Sequence, residues 1–224
     1  MSFNILITGA NRGIGLALSQ QLHAAGHKVF AACREASEEL RALAGERLHI
    51  IEGVDVGQAQ CGTVLTEALQ GQSLDWVINN AGLLINTPLS TLDFEAIEAQ
   101  MQVNAYGPLR VTQAVLPLLH AGSKVAIITS RMGSIADNTS GGHYGYRMSK
   151  SAVNSAGTSL AHDLKSKGIA VALIHPGYVQ TGMTGHQGHI DTATSAEGIL
   201  ARIEGLNLEN TGTFWHVNGE VLPW

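Results

Sequence analysis

Residues 3–25 limit the fold more than any other part of the chain. An apolar run, Phe3-Asn4-Ile5-Leu6-Ile7, feeds into Thr8-Gly9-Ala10-Asn11-Arg12-Gly13-Ile14-Gly15, and a helical pattern follows through Leu16, Ala17, Leu18, Leu22 and Ala25. A buried strand, a glycine turn and a helix come in the order of a dinucleotide-binding βαβ unit. Glycines let the backbone turn tightly and approach a pyrophosphate. The helix start offers unpaired N–H groups and the positive end of a dipole. A glycine string alone is weak, but its place between strand and helix gives it weight.

The rest of the chain keeps the same rhythm. Apolar runs at Phe3–Thr8, Lys28–Ala32, Leu48–Glu52, Trp76–Asn79, Lys124–Thr129, Ala170–His175 and Thr213–Val217 read as strands. They are apolar throughout rather than alternating, as in strands covered on both faces. Between them, Gly13–Ala25, Ser37–Ala44, Gln58–Gln70, Asp93–Leu119, Tyr144–Lys167 and Ser195–Glu204 read as helices. The alternation predicts a doubly wound α/β fold with a parallel sheet. Gly26 and Gly168 stand where a left-handed residue would end a helix. A chain of 224 residues fits one domain over 1–224. Within it, Pro176–Thr194 has no clear period and reads as a small flap near the ligand.

Bulk properties narrow the function. A net charge of −5 argues against a nucleic-acid binder. No apolar run reaches the roughly 18 residues that suggest a membrane span, and no signal-peptide pattern opens the chain. The only cysteines, Cys33 and Cys61, read as free thiols in a reducing, cytoplasmic setting. Of the ten histidines, His186 and His189 form the only close pair, with no third ligand nearby, so no metal is expected.

Ligands of such folds sit beyond the carboxyl ends of the strands. The second strand ends in Ala31-Ala32-Cys33-Arg34. An NAD site usually carries a carboxylate there, whereas arginine suits a 2′-phosphate. Arg12, inside the glycine turn, adds a second cation, and together they favour NADP(H). The plainer alternative is two solvated surface arginines. Asp55 could bind the adenine amino group, with Val56 offering its backbone, or could cap the next helix. Asn79-Asn80-Ala81-Gly82 follows the fourth strand; Ala81 and Gly82 allow close approach to a ligand, and the asparagines can brace the loop.

Tyr146 and Lys150 are four residues apart in a helical segment, a rotation of about 400° that puts them on one face. An ammonium about 4 Å from a phenol, at an effective dielectric near 20, is worth about 4 kcal/mol toward the phenolate. That is a gross lowering of up to roughly three pH units before desolvation opposes it. A tyrosine so tuned can exchange a proton with a substrate oxygen. Ser130 follows the fifth strand, where a hydroxyl can hydrogen-bond the reacting oxygen; Ser134 is a rival. Asn104 stands mid-helix, a poor position for asparagine, and invites a functional reason such as bending the helix and holding a water beside Lys150. Tyr144 falls on another helix face.

Thr8-Gly9-x-x-x-Gly13-Ile14-Gly15, Asn79-Asn80-Ala81-Gly82, Asn104, Ser130, Tyr146-x-x-x-Lys150 and Pro176-Gly177-x-x-x-Thr181, in that order across most of the chain, resemble the classical short-chain dehydrogenase/reductase family. Within it, Gly141–Lys150 and Gly212-Thr213-Phe214-Trp215 look most like the C-factor and sniffer-type carbonyl reductases. The resemblance implies a seven-stranded Rossmann-type sheet and an Asn104–Ser130–Tyr146–Lys150 tetrad. It also implies that Val179 and Thr181 approach the nicotinamide carboxamide, and that the chain forms a homodimer through the helices at 93–119 and 144–167. The expected activity is hydride transfer between NADP(H) and a small carbonyl or alcohol. A dinucleotide-binding regulator with incidental catalysis is the alternative. Two departures stand out: the Ser130–Tyr146 interval is a few residues longer than usual, and little chain separates Thr181 from the helix near Ser195.

Overall fold

The computed structural model describes residues 2–224. Seven parallel strands form one sheet: β1 (Asn4–Thr8), β2 (Lys28–Ala32), β3 (Leu48–Ile51), β4 (Leu74–Asn79), β5 (Leu119–Ile128), β6 (Ala170–His175) and β7 (Phe214–His216). Their order is β3-β2-β1-β4-β5-β6-β7. The chain winds outward from β1 to β3, then returns to build the other half from β4. The β1/β4 boundary is therefore the switch point at which such sheets bind ligands.

The central strands are buried on both sides. Ile5 and Ile7 face a core with Leu18 and Leu22 of α1 (Gly13–Ala24) and Ile199 and Ile203 of α7 (Thr192–Glu204). Leu6 faces the opposite core, built with Leu65 of α3 (Cys61–Ala68), Val111 and Val115 of α5 (Gly107–Val115), and Val153 and Leu164 of α6 (Tyr144–Lys165). This double coverage is the reason the strands read as unbroken apolar runs. Gly26 and Gly168 do adopt positive φ, +85° and +73°.

Several boundaries differ from expectation. The helix expected over Asp93–Leu119 is three pieces: α4 (Phe94–Met101), a π-helical turn at Gln102–Tyr106, and α5. Pro117 then cannot continue the helix, and a 3₁₀ turn at Leu116–Leu118 leads into β5 five residues before the expected start. The early part of β5, His120-Ala121-Gly122, is exposed and carries no apolar signal. α2 is one turn, Glu38–Arg41, capped by Ser37. α3 starts only at Cys61. α7 starts at Thr192, where the Asp191 carboxylate accepts the Thr194 N–H at 2.8 Å, rather than at Ser195. The segment read as an aperiodic flap is laced by a Val179–Ile190 bridge and a 3₁₀ turn at Gly182–Thr184.

Candidate active site

The loops after β1 and β4 are bolted together at the switch point. The Thr8 hydroxyl accepts the backbone N–H groups of Asn80 (3.1 Å) and Ala81 (3.2 Å), and the Asn80 amide donates to the Thr8 and Gly9 carbonyls (3.0 and 3.2 Å). Asn80 thus braces the loop, as its position suggested. A Cβ on Gly9 would lie 2.9 Å from the Ala81 Cα, and one on Gly15 would lie 2.1 Å from the Gly9 carbonyl oxygen. Only glycine permits this approach of turn, helix and loop. Arg12 is the extended residue preceding α1; Asn11 and Ile14 flank it, half-buried. Thr181 stands across the turn, its methyl carbon 3.6 Å from where a Gly13 Cβ would be.

Arg12 and Arg34 are exposed, and neither forms an ion pair among the described residues. The register pairs Thr8 with Ala32, so both arginines belong to the same carboxyl edge of neighbouring strands. The acid that follows β3, Glu52, is committed to Arg41 (2.6 Å) and the Ala36 N–H (2.8 Å). Asp55 does not cap α3: its carboxylate accepts the Gly57 N–H at 3.0 Å, closing a local turn six residues before the helix. Val56 beside it is buried.

Asn104 lies within the π-turn, buried, with its amide fully used. Its oxygen accepts the Leu83 N–H (2.8 Å), and its nitrogen donates to the Leu83 carbonyl (2.7 Å) and the Ser149 hydroxyl (3.0 Å). The expected bend exists as this wide turn, a form that recurs at functional sites. Gly82 faces the same amide. Ser149, which sequence reasoning passed over, donates in turn to the Tyr146 carbonyl at 2.8 Å. A serine beside Lys150 on the buried helix face was the available signal.

Ser130, Tyr146 and Lys150 meet at the end of β5. The Ser130 hydroxyl accepts the Met132 N–H (3.1 Å) and lies near enough to the Tyr146 phenol to favour its ionised form. Ser134 is instead committed elsewhere, to Asp137 and Trp224. Tyr146 is 8% exposed and Lys150 4%. The Lys150 ammonium donates to the Ile128 carbonyl at 2.9 Å and lies 5.6 Å from the Tyr146 ring centroid. Tyr144 is at the surface.

The electrostatics depart from expectation. Burial pushes the Tyr146 phenol up to about 12, with the Ser130 hydroxyl drawing it back, and burial pulls Lys150 down to about 8. The anticipated lowering of Tyr146 by Lys150 is therefore not achieved by the protein groups alone. The ammonium stands over the ring rather than at the hydroxyl, and desolvation wins. His175, read as a mere strand end, is also part of this neighbourhood. Its Nδ1 is buried without a partner, its ring meets His216 edge-on at 5.0 Å, and burial, then His216, Arg131 and Lys150, hold it down to about 3.

Pro176 and Gly177 leave β6, with the Pro176 carbonyl accepting the Ser195 hydroxyl at 2.7 Å and Gly177 at φ +85°. Val179 is buried beside the bridge to Ile190.

A family model described as short chain dehydrogenase matches residues 4–190. The chain belongs to this family. It is 41% identical, over 226 residues covering 98% of this chain and 99% of that protein, to 1-hydroxy-2-glutathionyl-2-methyl-3-butene dehydrogenase of Rhodococcus sp. (strain AD45). Its fold matches carbonyl reductase Sniffer of D. melanogaster with a TM-score of 0.90, at 30% identity and with both chains fully covered. The NADPH-bound carbonyl reductase from chicken fatty liver matches with a TM-score of 0.90 at 29% identity, covering 100% of this chain and 99% of that one. The sniffer-type likeness read from the motifs stands.

Proposed function

We propose that this chain is an NADP(H)-dependent oxidoreductase that exchanges a hydride between the nicotinamide and a small carbonyl or alcohol. Ser130 and Tyr146 at the end of β5, with the Lys150 ammonium 5.6 Å from the Tyr146 ring, on the same carboxyl edge of the sheet as the glycine turn, carry this reading. The chicken neighbour binds NADPH. The Rhodococcus relative bears the name of a dehydrogenase and the two solved neighbours are carbonyl reductases, so both directions of the exchange are represented.

The residues fit the dinucleotide. Close approach at Gly9 and Gly15 and the positive φ of Gly13 leave backbone N–H groups and the α1 dipole for a pyrophosphate, with Asn11 and Ile14 in the same turn. Arg12 and Arg34, free of acidic partners among the described residues, suit a 2′-phosphate. Asp55 and Val56 would border the adenine, and Asn80, Ala81 and Gly82 the ribose. Pro176, Gly177, Val179 and Thr181 would border the nicotinamide. When bound, the group supplies or accepts the hydride.

The chain's own task is the proton. Tyr146 gives it to the substrate oxygen in reduction and takes it back in oxidation. A phenol held at about 12 carries that proton at neutral pH, as a general acid must. Ser130 orients the same oxygen. Lys150, still an ammonium at pH 7, favours the phenolate as it forms and would also bind the nicotinamide ribose. Asn104 has no amide hydrogen left to give, so it would hold a relay water through the backbone of the π-turn. The segment 176–194 serves as the substrate flap of a single domain. A homodimer through α4–α5 and α6 is supported by Tyr106, Leu109 and Met148, which leave apolar surface exposed there. Two buried free thiols agree with a cytoplasmic setting. Tyr146→Phe should abolish reduction of 4-nitrobenzaldehyde by NADPH while the NADPH dissociation constant stays within about twofold. Substantial residual turnover would remove Tyr146 from the mechanism.

A further inference from the structure

We propose that Ser134 is a positioning residue, tying the Ser130 turn to residues 217–224 so that this last segment acts as a strap holding the Ser130 hydroxyl against Tyr146. The proposal rests on the reading of Ser130 and Tyr146 as the reacting pair. Ser134 is 2% exposed. Its hydroxyl donates to the Trp224 backbone oxygen at 3.1 Å and accepts the Asp137 N–H at 3.0 Å. The same Trp224 oxygen accepts the Ala136 N–H at 2.9 Å. Arg131, next to Ser130, reaches Asp137 at 2.7 Å and Glu220 at 3.3 Å.

The strap is itself anchored to the sheet. The Trp224 ring stacks on buried Phe214 of β7 at 5.4 Å, and the Leu222 N–H donates to the Phe214 carbonyl at 2.8 Å. On its other side the Ser130 turn is seated on α6. The Gly133 carbonyl accepts the Ser151 hydroxyl at 2.8 Å, and a Cβ on Gly133 would lie 2.7 Å from the Lys150 backbone. The turn is thus gripped between α6, which carries Tyr146 and Lys150, and the strap. At its start the turn is set by the sheet, where the Thr129 N–H donates to the Ile174 carbonyl at 2.9 Å, and beyond Ser130 it is held by α6 and the strap. Fifteen residues lie between Ser130 and Tyr146, and each tie on this loop removes conformations that would carry the Ser130 hydroxyl away from the phenol.

The test compares wild type, Ser134→Ala and Glu220→Gln as full chains, with 4-nitrobenzaldehyde and NADPH. Ser134→Ala should lower kcat per folded site about tenfold, as a small misplacement of a reacting group does. Its NADPH dissociation constant should stay within about twofold, and hydrogen exchange at the Met132 N–H, which bonds Ser130, should quicken. Glu220→Gln, at an exposed side chain, should act in the same sense by about threefold and serves alone should Ser134→Ala not fold. An unchanged kcat, or a kcat loss matched by equal loss of NADPH binding, overturns the strap. Absence of wild-type turnover sinks the functional reading instead. Met132 exchange then decides the strap, and an unchanged rate in the variants defeats it.

Discussion

Replacing Lys150 by methionine should destroy activity and yet make the protein more stable. Lys150 titrates at about 8 in the fold, against 10.5 for a free lysine, because burial disfavours its charge. Each pH unit of that gap is worth about 1.4 kcal/mol, so below pH 8 the folded state carries about 3 kcal/mol of disfavour from this one ammonium. Methionine fills a similar volume without charge. It also abandons the bond to the Ile128 carbonyl, at a cost of about 1 kcal/mol. The net expectation at pH 7 is a gain of about 2 kcal/mol, or roughly 4–8 °C in Tm for a domain of this size. The sign reverses with pH in a defined window. From pH 8 to 10.5 the unfolded chain holds the lysine proton and the folded chain releases it, so wild-type stability from this source rises with pH. Burial also raises the Cys33 and Cys61 thiols and the Tyr146 phenol, and these act in the opposite direction. They are common to both proteins and largely cancel in the difference. Urea unfolding of both proteins at pH 7, 8, 9 and 10 should show the advantage of the variant shrinking as pH rises. A variant that is less stable at pH 7, or an advantage that is flat to pH 10, would refute the argument that desolvation governs Lys150.

Two other expectations follow from the same geometry. His175 is held neutral to about pH 3 while the unfolded chain takes up its proton below 6.5, so stability falls as pH drops through that window, by about 2 kcal/mol at pH 5; His175→Asn should flatten this part of the acid melt, and identical acid slopes in the two proteins would exclude His175 as the source. Removing Arg12 or Arg34, each exposed and without an acidic partner among the described residues, should weaken NADPH binding about tenfold while NADH binding changes little; equal losses for both coenzymes, read by fluorescence titration, would deny the two arginines a role in selection.

How much of this could be read from the sequence depended on whether the signal was local. The strands of the sheet centre announced themselves because each is covered on both faces and must be apolar at every position, as Ile5, Leu6 and Ile7 are. Tyr146 and Lys150 could be paired because helix geometry alone puts residues four apart on one face. The opening of β5 was hidden because His120, Ala121 and Gly122 are exposed and fall in the register irregularity between the Leu74–Leu119 and Trp76–Lys124 pairs. The π-turn was half-visible: Asn104 marked a disturbance, but the partners that use its amide, Leu83 and Ser149, are 21 and 45 residues away. Ser130 and Ser134 differ through partners that no local pattern contains: the Ser134 hydroxyl is bonded to the Trp224 backbone oxygen, 90 residues away. The same division explains the error about the phenol. Sequence proximity predicts which charges are near one another, and a Coulomb estimate from spacing makes Tyr146 acidic. The depth of burial belongs to the folded chain as a whole, and it moves the phenol and the ammonium in opposite directions, each toward its neutral form. If Tyr146 is the proton donor, a phenol near 12 keeps its proton for a carbonyl oxygen at neutral pH, and in the reverse direction a bound oxidised nicotinamide would add positive charge favouring the phenolate.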